Sequence, residues 1–248
     1  MKTIVVIPAR YKSSRYPGKP LVPLLGQPMI LWVAELSSKA VGADNVYVAT
    51  DDHRIADVVK NAGFQVTMTS DQALTGTDRL AEVAEKVEAD IYINVQGDEP
   101  LVSPEDILNA IEQKKAYPNQ VINGYCVLSD DEDPYSVNIP KVIFTEQQQM
   151  IYMSRQAIPG IKDEKYAPAE YYKQVCIYGF SRQELLDYGS FGRKSIIEQS
   201  EDIEILRFLE WSQGIRMFKT QPGSLAVDVP EDVAKVEAAL LAVQEKTL

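Results

Sequence analysis

The sequence holds a single histidine, His53, and two cysteines, Cys126 and Cys176, in 248 residues. One histidine excludes a His-rich zinc site and any zincin motif. Two cysteines can build neither a four-cysteine metal cluster nor a disulfide framework. They read as reduced thiols of a cytoplasmic protein, with a single disulfide as the minor alternative. A Ser-His-Asp or Cys-His mechanism would have to use His53, which lies in Thr50-Asp51-Asp52-His53-Arg54. Helix starts are polar for capping reasons alone, which explains that segment without catalysis. Long apolar runs are also missing. None approaches the ~18–20 residues that span a bilayer, and Ile4–Ile7 is too short for a signal-peptide core, so neither export nor a membrane partner is expected. No G-x-G-x-x-G occurs, and Gly18-Lys19 is followed by Pro20 with no glycine five residues before Gly18. Those facts exclude a dinucleotide fingerprint and a P-loop. Catalysis is left to carboxylates, lysine, arginine and a hard metal ion.

What is present is the composition of a globular protein, 45% hydrophobic and 25% charged, long enough to bury a sizeable core. The net charge of −11 argues against a nucleic-acid partner, whose phosphates need a basic face. A local basic cluster nevertheless stands out. Arg10, Lys12, Arg15 and Lys19 precede the first acidic residue, Glu35, so no carboxylate neutralises them nearby in sequence. The alternatives are a solvated basic loop and an anion site.

The first half alternates strand and helix signals. Strands are expected at Thr3–Pro8, Asn45–Thr50, Gln65–Met68 and Ile91–Val95, and helices at Met29–Lys39, Arg54–Ala62 and Thr77–Lys86. Asp51 or Asp52 can cap the second helix, and Gly63 suits its left-handed end. Ser103-Pro104 marks a further helix start. This alternation predicts an α/β fold whose mostly parallel sheet is covered by helices on both faces. The second half is less regular. Strands are expected at Val121–Leu128, Lys141–Thr145 and Gln174–Ser181, helices at Arg182–Tyr188, Glu201–Trp211 and Glu231–Val243, and a mobile loop at Tyr166–Tyr172. One domain spanning residues 1–248 is expected, with a smaller lobe at roughly 130–220.

In open α/β sheets ligands bind beyond the carboxyl ends of the strands. Two segments fall there. Pro8 to Leu21 follows the first strand and is longer than the usual ~2–6-residue connection; its charges and hydroxyls suit a polyphosphate. Pro17 and Pro20 restrict the backbone around Lys19, aiming a fixed positive charge. The second segment is Gln96-Gly97-Asp98-Glu99-Pro100, where Asp98 is a candidate ligand for Mg²⁺, an ion that takes few protein oxygens and fills its shell with phosphates and water. Stabilisation of a turn is the competing explanation. Asp228, in Val227-Asp228-Val229-Pro230-Glu231-Asp232, is a weaker candidate for a second carboxylate, since the same run reads as an ordinary helix start.

The motif P-A-R-Y-x-S-x-R-x-P-G-K-P-L at Pro8–Leu21, G-T-D-R-L-A-E-V at Gly76–Val83 and N-V-Q-G-D-E-P at Asn94–Pro100 together resemble the CMP-Kdo synthetases, the 3-deoxy-manno-octulosonate cytidylyltransferases. Tyr152-Met153-Ser154-Arg155, Ile177-Tyr178-Gly179-Phe180 and Val227–Asp232 extend the resemblance in order over nearly the whole chain. It implies a Rossmann-like nucleotidyltransferase fold with a substrate and dimerisation lobe, a homodimer, and transfer of CMP from CTP to a 2-keto-3-deoxy sugar acid. It also implies that Arg10 and Lys19 contact the triphosphate beside Ala9 and Arg15. Thr75-Gly76-Thr77, Arg79 and Gln96 then hold the nucleotide, Asp98 and Asp228 bind Mg²⁺, and Arg155, Gln174, Tyr178, Glu204 and Ile205 face the sugar acid.

Several positions depart from the family pattern. Thr75 replaces the usual Ser. Lys173-Gln174-Val175-Cys176-Ile177-Tyr178-Gly179-Phe180 stands for Arg-His-x-Gly-Ile-Tyr-Gly-Tyr, and Ile203-Glu204-Ile205-Leu206-Arg207 for Leu-Glu-Gln-Leu-Arg. Gln174 and Ile205 are therefore expected to alter the sugar pocket, in favour of an acceptor such as an amino-substituted Kdo. The alternatives are drift with Kdo retained, another sugar acid or sugar phosphate on the same scaffold, and a non-catalytic nucleotide binder. Nucleotide-specific thermal protection separates a CTP enzyme from UTP, GTP and ATP ones, and kcat/KM for Kdo against related 2-keto acids separates an altered acceptor from drift.

Overall fold

The computed structural model describes residues 1–12, 16–222 and 225–247, with the side chains of 244, 246 and 247 set aside. Its elements are β1 (Thr3–Ala9), β2 (Pro23–Leu24), β3 (Gln27–Pro28), α1 (Met29–Val41), β4 (Val46–Thr50), α2 (His53–Asn61), β5 (Gln65–Met68), α3 (Gly76–Lys86), β6 (Ile91–Val95) and α4 (Pro104–Ala116). There follow β7 (Val121–Val127), β8 (Lys141–Phe144), β9 (Met150–Ser154), β10 (Tyr172–Phe180), α5 (Arg182–Ser190), α6 (Ile196–Glu201), α7 (Leu206–Glu210), β11 (Ile215–Lys219) and α8 (Asp232–Thr247).

The main sheet runs β11-β7-β10-β6-β1-β4-β5. Strands β5, β4, β1 and β6 are parallel, β10 is antiparallel to both its neighbours, and β11 is parallel to β7. β1 shows why an apolar run at the N-terminus becomes the central strand. Ile4 and Val6 pack into one core with Leu80 and Tyr92, while Val5 and Ile7 pack into another with Ile30 and Val33. All four strand residues are fully buried, so each stabilises the fold by about 1.5–3 kcal/mol. The two faces are covered by α3 with α5 and by α1 with α4.

From β1 the chain moves out through β4 to β5, then returns to β6 on the other side of β1. That reversal opens a crevice beyond the carboxyl ends of β1 and β6. A third apolar cluster of Leu24, Met29, Val227, Val236 and Leu240 docks α8 against the β2–β3 hairpin, which brings the segment around Asp228 to the crevice. β8 and β9 pair with each other, and β8 pairs with β10 away from the main path.

The starts of the first-half helices match expectation: Asp52 caps α2, Ser103 caps α4 with Pro104 in its first turn, and Gly63 takes a φ of 86°. The expected helix over Glu201–Trp211 is corrected to two short helices, α6 and α7, with Asp202 left-handed at φ 50°. Arg155 supplies the reason. Its guanidinium takes the carbonyls of Glu201 and Asp202, which a continuing helix would need for itself. The strands β2, β3, β9 and β11 are additions to the expected elements.

Candidate active site at the β1–β6 crevice

The loop after β1 is closed by its own backbone. Gly18 N–H donates to the Tyr11 carbonyl at 2.8 Å, and Gly18 adopts φ 75°. A side chain there would strain the backbone, and its Cβ would come within 3.1 Å of the Tyr11 ring. The face of that ring is covered by the Arg54 guanidinium, 3.4 Å from the centroid. Gly18 leads into a 3-10 turn, Lys19–Leu21, with Pro20 inside it. The Lys19 backbone is therefore held as its two prolines suggest, and only the side chain is left to move.

Lys19 Nζ lies 2.5 Å from Asp98 Oδ2 and 3.6 Å from Asp228 Oδ1, with the lysine side chain 14% exposed. The carboxylates come from positions 130 residues apart in the chain, Asp98 after β6 and Asp228 before α8, and backbone bonds bring them together. Val227 N–H donates to the Asp98 carbonyl at 3.0 Å. Asp232 then accepts from the N–H groups of Asp228 (2.8 Å) and Val229 (3.0 Å), shaping the turn that carries Asp228. Asp232 was present in the motif, but its role as the turn's clamp was not read from it. Gly97 allows the whole arrangement, because the chain leaving β6 passes so near Pro8 of β1 that no side chain fits.

On the far side of the crevice α3 begins. Thr75 caps it, accepting from Asp78 N–H and donating to the Asp78 carboxylate. Glu204 accepts from Thr77 N–H at 3.0 Å and from Gln96 Nε2 at 3.4 Å, an anion at a helix N-terminus. Burial pushes the Glu204 carboxyl above its ordinary range, partly offset by the Thr77 bond. Gly76 packs against Pro8 and Glu204, so this turn and β1 share one wall.

Behind it lies a network the sequence reading missed. Arg207, fully buried, donates to both oxygens of Glu198 at 2.7 Å and to Asp78 at 2.8 and 3.2 Å, and stacks on Tyr188. The available signal was a lone arginine inside the otherwise apolar run Ile205–Leu209.

Several residues expected at the ligands are buried or already bonded within the protein. Ile205 is 0% exposed and packs into the core of the β1–α3 face, so it lines no pocket. Tyr178 is 2% exposed, and its hydroxyl receives the Gln174 amide at 3.0 Å; burial drives its pKa far up. Gln174 also donates to Asn123 at 3.2 Å. Arg79 is 3% exposed and spends its guanidinium on Thr69 (2.7 Å) and the Ser70 carbonyl (3.0 Å), beside Asp51 at 3.4 Å. It holds the loop before α3 and is not open to a ligand. The Thr77 side chain is likewise buried. Arg155 is tied to the carbonyls of Val137, Glu201 and Asp202.

Ala9 is the buried last residue of β1, paired with Thr50. Arg10 follows it and is exposed. Asp202 is held below the usual carboxylate range by its bond to Lys194, with smaller contributions from Arg155 and Arg10, which puts the Arg10 charge near that turn. Arg15 lies outside the described residues.

Among the described residues no helix is long and apolar enough to cross a membrane. The chain resembles the structure of CMP:2-keto-3-deoxy-manno-octonic acid synthetase complexed with CTP, with a TM-score of 0.90 and 39% identity over 99% of this chain and all of that one. It is 38% identical to the 3-deoxy-manno-octulosonate cytidylyltransferase of Escherichia coli over 96% of each chain. It is 39% identical to the 8-amino-3,8-dideoxy-manno-octulosonate cytidylyltransferase of Shewanella sp. (strain W3-18-1), over 98% of this chain and all of that one. Residues 4–215 match the cytidylyltransferase family, and with these relatives the chain belongs to that family of CTP-dependent nucleotidyltransferases.

Proposed function

We propose that the β1–β6 crevice transfers CMP from CTP to a 2-keto-3-deoxy sugar acid, giving the CMP-sugar and pyrophosphate. The observation that carries this reading is the convergence of Lys19, Asp98 and Asp228 at the strand ends of a chain in the cytidylyltransferase family. The sugar's anomeric hydroxyl attacks the α-phosphorus in line. A bond forms from that oxygen to phosphorus, the bond from phosphorus to the α–β bridging oxygen breaks with its electron pair leaving on pyrophosphate, and the hydroxyl proton is released to solvent. Lys19, Arg10 and Arg15 hold the triphosphate and balance charge on the departing pyrophosphate. Gln96 and the Thr75–Thr77 turn flank the nucleotide, and Arg79 supports them from behind.

Mg²⁺ fits this site. Asp98 and Asp228 already meet one cation, the Lys19 ammonium. Among the described residues no cluster of three or more metal-ligating side chains gathers. Two carboxylates with the rest of the shell left to phosphate and water is a donor set for that ion. When bound, it supplies positive charge at the reacting phosphate.

Gln174 supports an acceptor altered away from its carboxylate. Its amide nitrogen is committed to Tyr178 and Asn123, which leaves its carbonyl oxygen to accept from a hydroxyl or an ammonium group. We place the enzyme in the cytoplasm as a homodimer. The free thiols of Cys126 and Cys176 support that compartment, and the exposed Tyr135, Val137 and Ile151 support pairing through the smaller lobe.

Pyrophosphate release tests the reading, with CTP set against UTP, GTP and ATP, and Kdo against its 8-amino analogue and other 2-keto acids. Selective release from CTP with one of these acids is expected; release with none overturns the activity. A kcat/KM higher for Kdo than for every altered acid overturns the role given to Gln174.

A further inference from the structure

We propose that Lys19 fills the cation position between Asp98 and Asp228 when no nucleotide is bound, so that a divalent ion enters only after a triphosphate draws the lysine away. The proposal rests on the metal reading given above and adds an order of binding to it.

Three observations carry it. The first is distance: the ammonium lies within ion-pair reach of both carboxylates, 2.5 and 3.6 Å away, and is largely shielded from water. The second is that the carboxylates do not depend on the lysine to be near each other. Val227 N–H on the Asp98 carbonyl and Asp232 on the N–H groups of Asp228 and Val229 hold them there. Two like charges fixed together call for a cation, and the lysine and the metal are alternative answers. The third is the lysine's tether. Gly18 in its left-handed conformation and Pro20 in the 3-10 turn fix the backbone, so the ammonium moves only on its own four-carbon stem.

Charge then sets the order. Of the two carboxylate charges, the lysine offsets one and a divalent ion would offset both. Lysine and metal side by side would repel each other strongly at that separation. A triphosphate offers the ammonium a new partner within reach of the same stem, and its oxygens complete the metal's shell. By linkage the metal must then raise nucleotide affinity by the same factor. Lys19 thus acts as a placeholder that keeps metal out until the nucleotide is in position.

Mn²⁺ serves as the probe, read by electron paramagnetic resonance of the free ion and by thermal stability, without the sugar acid. Wild-type protein is expected to bind Mn²⁺ alone weakly, and Lys19→Met at least about tenfold more tightly. Lys19→Met is also expected to gain Tm on adding Mn²⁺ without nucleotide, where the wild type gains little. Lys39→Met, which removes the same charge from the end of α1, is expected to behave as wild type. The double variant Lys19→Met, Asp98→Asn should lose the gain. Wild type binding Mn²⁺ alone as tightly as Lys19→Met overturns the proposal while the metal site stands. So does an equal gain in Lys39→Met. Absence of Mn²⁺ binding in every variant, even with CTP present and protein-free Mn²⁺–CTP as the reference, overturns the metal reading itself and the proposal with it.

Discussion

Gly97 sits so close to Pro8 that a Cβ on it would come within 2.9 Å of the Pro8 carbonyl oxygen. That is closer than a carbon and an oxygen can pack, and the obstacle is backbone. The crevice walls therefore touch at this point, and the geometry of Asp98, one residue on, depends on it. Gly97→Ala is expected to push β1 and β6 apart at their ends. Stability should fall by about 1–3 kcal/mol, the usual cost of overpacking, and kcat/KM by on the order of 100-fold through misplacement of the site. Urea unfolding beside pyrophosphate release measures both; a fully active variant would show that the wall can give.

Asp98→Asn tests the carboxylate pair directly. Asp98 is partly exposed and contributes no apolar packing, so Tm should move by no more than a few degrees. Turnover should fall roughly 10²–10³-fold, the scale for losing one preorganised charge contact in a phosphoryl site. Asp228→Asn is expected to follow it. Mg²⁺-dependent release at close to the wild-type rate would remove either residue from the mechanism.

Arg207→Met should act in the opposite sense, on stability first. It leaves Glu198 fully buried and Asp78 without its cationic partner. Breaking a buried pair from one side costs about 3–5 kcal/mol, which lowers Tm by roughly 6–20 °C in a chain of this size. Calorimetry checks it. A shift under 2 °C would mean the network contributes little.

Glu204 gives a pH signature. Burial raises its folded pKa above the unfolded value near 4.5, so the folded chain holds this proton more tightly than the unfolded one. Its contribution to stability is complete below pH 4.5 and declines as pH rises through the raised value. Glu204→Gln keeps an acceptor for Thr77 N–H and removes the titration. The difference in urea midpoint between variant and wild type should therefore grow in the variant's favour from pH 4.5 upward, then level off. A difference independent of pH would show that Glu204 does not titrate abnormally.

Much of this was legible in the chain because the signals are local. A β-branched run made β1, Asp52 and Ser103 made helix starts through their own side chains, and Pro17, Gly18 and Pro20 stiffened the Lys19 turn by sterics alone. The carboxylates at strand ends followed from the alternation of strand and helix. The second half read less well. β11 owes its form to a distant partner, pairing along β7, while β9 folds back on its neighbour β8 with no turn signal in the sequence strong enough to announce the hairpin. The split between α6 and α7 comes from Arg155, some fifty residues upstream along the chain.

Burial was the other thing composition could not assign. Ile205, Tyr178 and Arg79 carry motif positions but point into the packed interior or into protein hydrogen bonds. Nothing in their neighbours along the chain distinguishes that from a pocket wall. Sequence alone determined which charges were available, four basic residues near the start and aspartates at 98 and 228. Only tertiary structure decided that Lys19 meets Asp98, 79 residues away, and Asp228 as well. The reason is physical: a contact between groups so far apart along the chain depends on where the β1–β6 crevice and the α8 dock carry their backbones, and no local propensity encodes that distance.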